Sequence, residues 1–132
     1  MPIEAFCVIL QGMKRPTHKE LSKKLREAQS CAEEDRIMLM NPTSLAADAL
    51  NMGYMMDELS QVLHNVLDEI QPEDYVGMSP PQKSYEQEIN GADLFPFRWK
   101  SLIVKCLAYL KFAIFSQTLW LISFHPNRKA PF

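Results

Sequence analysis

The chain has 132 residues, 47% of them hydrophobic, with 14 Lys and Arg against 16 Asp and Glu and a net charge of −2. That length makes one domain whose core needs neither metal nor disulfide, and the overall balance argues against a uniformly basic nucleic-acid binder. Cys7, Cys31 and Cys106 are an odd number without C-x-x-C spacing, which argues against a zinc site and reads as buried thiols in a reducing compartment.

Residues 1–12 read as an N-terminal extension, either an added strand or a product of start-codon choice, and residues 13–132 as a single domain. Ile3 to Leu10 is short and lacks a basic flank, so it does not read as a signal peptide. Thr17-His18-Lys19-Glu20 has capping-box spacing, and Leu21 and Leu25 follow at a helical interval, which predicts a first helix to about Gln29. Arg36 to Met40 reads as a short strand ended by Asn41-Pro42. Thr43 is expected to cap a second helix closed by Gly53.

The strongest helix spans about Asp57 to Ile70, where Leu59, Val62, Leu63, Val66, Leu67 and Ile70 form one stripe suited to covering a sheet. His64 beside that stripe reads as structural or exposed, and Pro72 ends the helix. Gly77 to Gln82 is a proline-stiffened loop, and Ser84 to Ile89 has the look of a helical turn or more. Leu94 to Lys100 alternates Phe95, Phe97 and Trp99 against Arg98 and Lys100, a strand with an aromatic inner and a cationic outer face. Pro96 marks an edge or a bulge there.

Two further strands follow in Ala108 to His125. Successive strand residues point to opposite faces, so Leu110, Phe112 and Ile114 share one side and Tyr109 and Lys111 the other. Trp120, Ile122 and Phe124 are expected on the apolar side, with Leu121, Ser123 and His125 opposite. A hairpin with a three-residue loop at Phe115-Ser116-Gln117 would satisfy both runs, setting Phe112 against Trp120 and Tyr109 against Ser123. Burial of the apolar side then gathers a phenol, an ammonium and an imidazole on the other. Helices first and strands last predict an α+β fold: a small antiparallel sheet with helices packed on one face.

Charge is unevenly spread. From Leu94 onward there are Arg98, Lys100, Lys105, Lys111, Arg128 and Lys129 and no Asp or Glu, whereas Asp57 to Asp93 holds nine acids against Lys83 alone. A polyanion would be drawn to the strands and repelled by the middle helix. The alternative is a solvated basic edge that discourages strand pairing. Lys111 and Ser116-Gln117 interrupt the apolar run from Cys106 to Phe124, which favours a soluble hairpin over a membrane span.

Several short motifs, in order, resemble a known family: Met13-Lys14-Arg15-Pro16, Thr43 to Leu50 with Met52-Gly53-Tyr54, Asp57-Glu58-Leu59, Glu73-Asp74-Tyr75, Tyr109-Leu110-Lys111 and Ile122-Ser123-Phe124-His125. The chain resembles the MqsR-type toxins, RelE-like mRNA interferases of bacterial toxin–antitoxin systems. The resemblance implies a RelE-like fold, cleavage of mRNA in the cytoplasm without a metal or other cofactor, no membrane, and a cognate antitoxin that binds DNA. A role in stress response is implied in the same way. By position Tyr109 matches the family's active-site tyrosine, and His125 stands where the family pattern has a lysine after Ser-Phe. Val76-Gly77 replace the segment that carries another family lysine, and Lys83 is a loop-borne substitute for it.

Attack of a ribose 2′-OH on its own phosphate needs a base, an acid for the leaving 5′-oxygen and cations around the phosphorane. Tyr109, His125 and Lys111 are the catalytic candidates, and Lys83, Arg98, Lys100 and Arg128 the RNA-binding ones. Plainer readings exist: Tyr109 as a cover for the open sheet face, Lys111 as a solvent-facing strand residue, His125-Pro126 as a strand end. On those readings the chain is a non-catalytic interaction module, or an inactive relative of the toxins, whose basic sheet face binds a protein partner.

Overall fold

The computed structural model describes residues 17–78 and 80–127. The extension at residues 1–12, the motif at residues 13–16, Cys7 and Arg128 lie outside the described residues. Helix α1 spans His18–Glu33 and starts as its capping box predicts. Thr17 Oγ1 accepts the Glu20 N–H at 3.1 Å, and the Glu20 carboxylate accepts the Thr17 N–H at 3.3 Å. It runs beyond the expected Gln29 because Cys31 and Ala32 continue its buried stripe.

Strand β1 (Ile37–Leu39) leads into helix α2 (Pro42–Asn51). Asn41, rather than Thr43, caps α2 by accepting the Ser44 N–H at 3.4 Å, and Pro42 takes the first helical position, where an N–H would have no partner anyway. Gly53, at φ +89°, ends that segment. A 3₁₀ turn at Met56–Glu58 then opens helix α3 (Leu59–Glu69), which buries Leu59, Leu63, Val66 and Leu67 as its periodicity predicts.

Strands β2 (Phe95–Ser101), β3 (Cys106–Phe115) and β4 (Thr118–Pro126) form an antiparallel meander, and β1 joins β4 in parallel, giving the order β1-β4-β3-β2. The molecule is α+β, but the sheet is mixed rather than wholly antiparallel. The long helical connection from β1 to the meander permits this, since parallel pairing needs a crossover of about a dozen residues or more. Pro96 sits on edge strand β2. Its carbonyl accepts the Val76 N–H at 3.0 Å, so its nitrogen lies on the outer side and β2–β3 pairing survives.

The helices cover one face of the sheet, above Phe97, Leu110, Phe112, Leu119, Leu121 and Phe124, all essentially fully buried. Each such side chain contributes roughly 1.5–3 kcal/mol by leaving water. The opposite face is covered only in part: Ile89 and Leu94 of the preceding loop pack on Ala113, with Trp120, Ile122 and Met40 around them. Arg98, Tyr109, Lys111 and His125 occupy the uncovered half of that face. Cys31 is buried and Cys106 half-buried, and no described helix is long and apolar enough to cross a membrane.

The β3–β4 hairpin departs from the expected register. Its loop has two residues, Ser116 and Gln117, at φ 52° and 60°, and Phe115 pairs with Thr118. Two positive φ values give the mirror-image turn whose twist suits a hairpin. Near the turn Phe112 pairs with Leu121 and Ala113 with Trp120. Beyond the irregularity between Lys111 and Phe112, Lys111 pairs with Ser123, Leu110 with Phe124 and Tyr109 with His125. Ile122 is the extra residue of a β-bulge. Leu119 and Leu121 therefore face the helices while Trp120 and Ile122 do not, the reverse of strict alternation back from Phe124.

The β2–β3 connection hangs on Glu69, in the last turn of α3. Its carboxylate accepts from Trp99 Nε1 at 3.0 Å, Ser101 Oγ at 2.6 Å, and the Leu102 and Ile103 N–H groups at 2.7 and 3.2 Å. Partial burial pushes its pKa up, but these hydrogen bonds outweigh burial and hold it below the ordinary 4.5. A depressed folded-state pKa stabilises the protein above the unfolded value, and that stabilisation is lost as pH falls through the folded value. Glu69→Ala should cost about 2 kcal/mol in urea unfolding at neutral pH, and the gap from wild type should shrink in acid below pH 4.5. A gap that stays constant with pH would contradict the role given to the charge. Independently, Ser116→Asn with Gln117→Gly should stabilise by about 1 kcal/mol, since both positions have positive φ. A loss of stability would contradict the two-residue turn.

Candidate active site

Directly opposed residues in a sheet share a face, and across β2, β3 and β4 the pairs Arg98↔Tyr109 and Tyr109↔His125 put a guanidinium, a phenol and an imidazole in one row. The next row is Pro96, Lys111 and Ser123. The Tyr109 and His125 rings stack with centroids 5.2 Å apart and planes at 23°. The pairing thus brings the two candidates closer than the expected Tyr109–Ser123 register would have done.

His125 Nδ1 lies 2.8 Å from the Pro126 carbonyl oxygen. A carbonyl only accepts, so the proton of the neutral ring belongs on Nδ1, and Nε2 carries the lone pair. Burial pushes the pKa of the half-buried Tyr109 up, and the Arg98 charge offsets part of that rise. The phenol is therefore a neutral O–H donor throughout the neutral range. Arg98 is oriented from behind: its Nε–H donates to Asn127 Oδ1 at 3.0 Å, and the Asn127 N–H donates to the Leu107 carbonyl at 2.7 Å. The remaining guanidinium N–H groups stay available to an anion. Among the described residues neither Arg98, Lys100 nor Lys111 has an ion-pair partner.

A pocket of about 170 Å³ adjoins the row, walled by the 76–78 turn, Gln82, Leu94, Pro96, Tyr109 and Lys111. Gly77 allows that turn to close. A Cβ there would lie 2.8 Å from Pro96 Cδ and would overlap the Tyr75 phenol, whose hydroxyl donates to the Met78 carbonyl at 2.7 Å.

The structure brings Tyr109, His125, Lys111 and Arg98 together and sets Lys100 two residues along β2 on the same face, exposed. It does not bring Lys83 to the row. Lys83 pairs with Asp93 as an isolated antiparallel bridge and its Nζ meets the Asp93 carboxylate. Alternation around that bridge turns Gln82, not Lys83, toward Tyr109 and Lys111. Arg128 lies just outside the described residues. Sequence reasoning also missed Glu69 and Asn127. Glu69 had a signal, since an acid in the last turn of a helix sits against the negative end of the dipole and needs another reason to be there. Asn127 had none.

Chemically, the row presents an imidazole, a neutral O–H donor and two cations, of which Arg98 is held by Asn127, on an open surface, the complement of a phosphodiester. No protein-family model matches this chain, and no curated protein matches it either. Arg98→Ala should raise the Tyr109 pKa further, because it removes the one charge that lowers it. Titration of the tyrosine Cζ resonances by NMR checks this, and an unchanged or lower pKa would contradict the electrostatic pairing of Arg98 with Tyr109.

Proposed function

We propose that this chain is a RelE-like, MqsR-type toxin: a metal-independent endoribonuclease that cleaves mRNA in the cytoplasm and is neutralised by a cognate DNA-binding antitoxin. The observation that carries the reading is the row Arg98, Tyr109 and His125 with Lys111 beside it, an acid–base pair flanked by cations with no carboxylate in the row. The ordered motifs that resemble the family, on a helix-backed sheet ending in this hairpin, support the same reading.

In this mechanism His125 Nε2 takes the proton of the ribose 2′-OH as that oxygen attacks phosphorus. The P–O5′ bond breaks, and the departing 5′-oxygen takes a proton from the Tyr109 phenol. The products are a 2′,3′-cyclic phosphate and a 5′-hydroxyl; proton exchange with water then resets both groups. Arg98 and Lys111 stabilise the extra negative charge of the phosphorane, as charge-assisted donors at fixed positions do best. Lys100 extends the positive track along the RNA, with Lys83 available to it only when released from Asp93; Arg128, an RNA-binding candidate from the sequence, lies outside the described residues.

A second reading, favoured by the exposed Leu102, Ile103 and Leu107 beside Lys100 and Lys105, keeps the basic face as a protein-docking surface and drops the chemistry. Substitution separates the two. His125→Ala should lower the cleavage rate by about 10²–10⁴ while RNA affinity changes little. Expression of the wild-type chain in cells should arrest growth and produce new RNA 5′ ends at a recurrent short sequence, absent with His125→Ala and reduced with Tyr109→Phe. Normal growth with intact RNA would favour the docking reading.

A further inference from the structure

The pocket beside Tyr109 and Lys111 is too small for an extended ligand. At about 170 Å³ it lies below the ~300 Å³ where drug-sized sites begin, which suits a single planar ring system. Leu94 and Pro96 give it apolar walls, and Tyr109 gives it an aromatic one. Its polar side chains are Lys111, Gln82 and the Tyr109 phenol.

Gln82 is held by its backbone. Its carbonyl accepts the Leu94 N–H at 2.8 Å, and the neighbouring Ser84 N–H donates to the Ala92 carbonyl at 2.8 Å, a short ladder closed by the Lys83–Asp93 bridge. That ladder keeps Gln82 on the pocket side and Lys83 on the other. The Gln82 carboxamide makes no hydrogen bond to another described residue, although Lys83 and Asp93 on either side of the ladder pair with each other. Gly77 is required for the turn to approach Pro96 as it does, and that approach closes one side of the pocket.

Resting on the ribonuclease reading above, we propose that this pocket takes the nucleobase next to the scissile phosphate, and that Gln82 reads the edge of that base. With the phosphate over Arg98 and Tyr109, the adjoining ribose and base reach the pocket past Lys111. The base lies against the Tyr109 ring and the Pro96–Leu94 wall, the usual way a splayed RNA base is held. A carboxamide has one donor and one acceptor side by side and meets adenine, whose N6 donor and N7 acceptor are adjacent, with two hydrogen bonds. Cytosine offers the same pair at N4 and N3, but a purine fills more of the pocket and stacks over more of the Tyr109 ring, so adenine is the expected occupant. Gln82 is a specificity residue here and takes no part in the proton transfers.

Adenosine 5′-monophosphate and purine-riboside 5′-monophosphate, which lacks the N6 amino group, titrated into isotope-labelled full-length chain provide the test. Adenosine monophosphate should bind about tenfold more tightly, shift the Gln82 side-chain amide and Lys111 resonances, and lose its advantage in Gln82→Ala. Gln82 is exposed, so that variant keeps the fold, and Gly77→Ala, which displaces the turn, should weaken both nucleotides. Equal binding of the two nucleotides by the wild-type chain, or a preference that survives Gln82→Ala, would overturn the proposal. RNA cleavage whose sequence preference ignores Gln82 would sink the subsite and leave the ribonuclease. Selective, Gln82-dependent nucleotide binding without cleavage would do the reverse.

Discussion

One extra residue in β4 decides what the open face of this sheet contains. Running the turn-proximal register onward from Phe112↔Leu121 would set Tyr109 against Phe124 and Ala108 against His125. An aromatic core residue would then lie on the open face, and an imidazole would be buried under the helices. Neither is tolerable: burying an imidazole without a partner costs several kcal/mol, and exposing Phe124 forfeits a large part of the core's apolar contact. The bulge at Ile122 shifts the phase once, so Phe124 meets Leu110 inside and His125 meets Tyr109 outside. Bulges commonly re-aim side chains in this manner beside functional sites.

The two faces of the sheet then carry separate tasks. Beneath the helices, Phe97 and Phe112 stack at 5.9 Å and Trp99 and Phe124 at 6.4 Å, an aromatic layer that fixes the strands relative to one another. Glu69 ties the end of α3 to the β2–β3 connection through four hydrogen bonds, which sets the position of Arg98 on the strand leading into that connection. On the other face the acids are kept away from the row: Asp93 is held by Lys83, and Glu69 points to the helix side. What remains is a strip of positive charge around a neutral phenol and an imidazole.

Much of this was legible in the sequence because it rests on local periodicity. The capping box at Thr17, the stripe from Leu59 to Ile70 and the aromatic alternation in β2 each report a single element burying one face, and each survives in the structure. The hairpin was legible only up to its phase. Period-two alternation assigns Tyr109 and Lys111 to the open side correctly, but a bulge leaves no mark in composition, and positive φ at Ser116 and Gln117 is unusual for those residue types. Asn41 displaced Thr43 as the cap because a Pro at the first helical position fixes the start two residues earlier than the hydroxyl suggests. Gln82 and Asn127 act through the spacing of other strands, which no local pattern encodes.

The most direct test of the central claim is a product analysis. Purified chain is mixed with an oligoribonucleotide in the presence of a chelator, and with the same oligonucleotide carrying 2′-deoxyribose at the cut position. A surface that positions His125 and Tyr109 across a phosphodiester predicts cleavage of the ribose substrate to a 2′,3′-cyclic phosphate and a 5′-hydroxyl, and no cleavage of the deoxy analogue. Intact RNA, or cleavage that leaves a 5′-phosphate and ignores the missing 2′-OH, would contradict it.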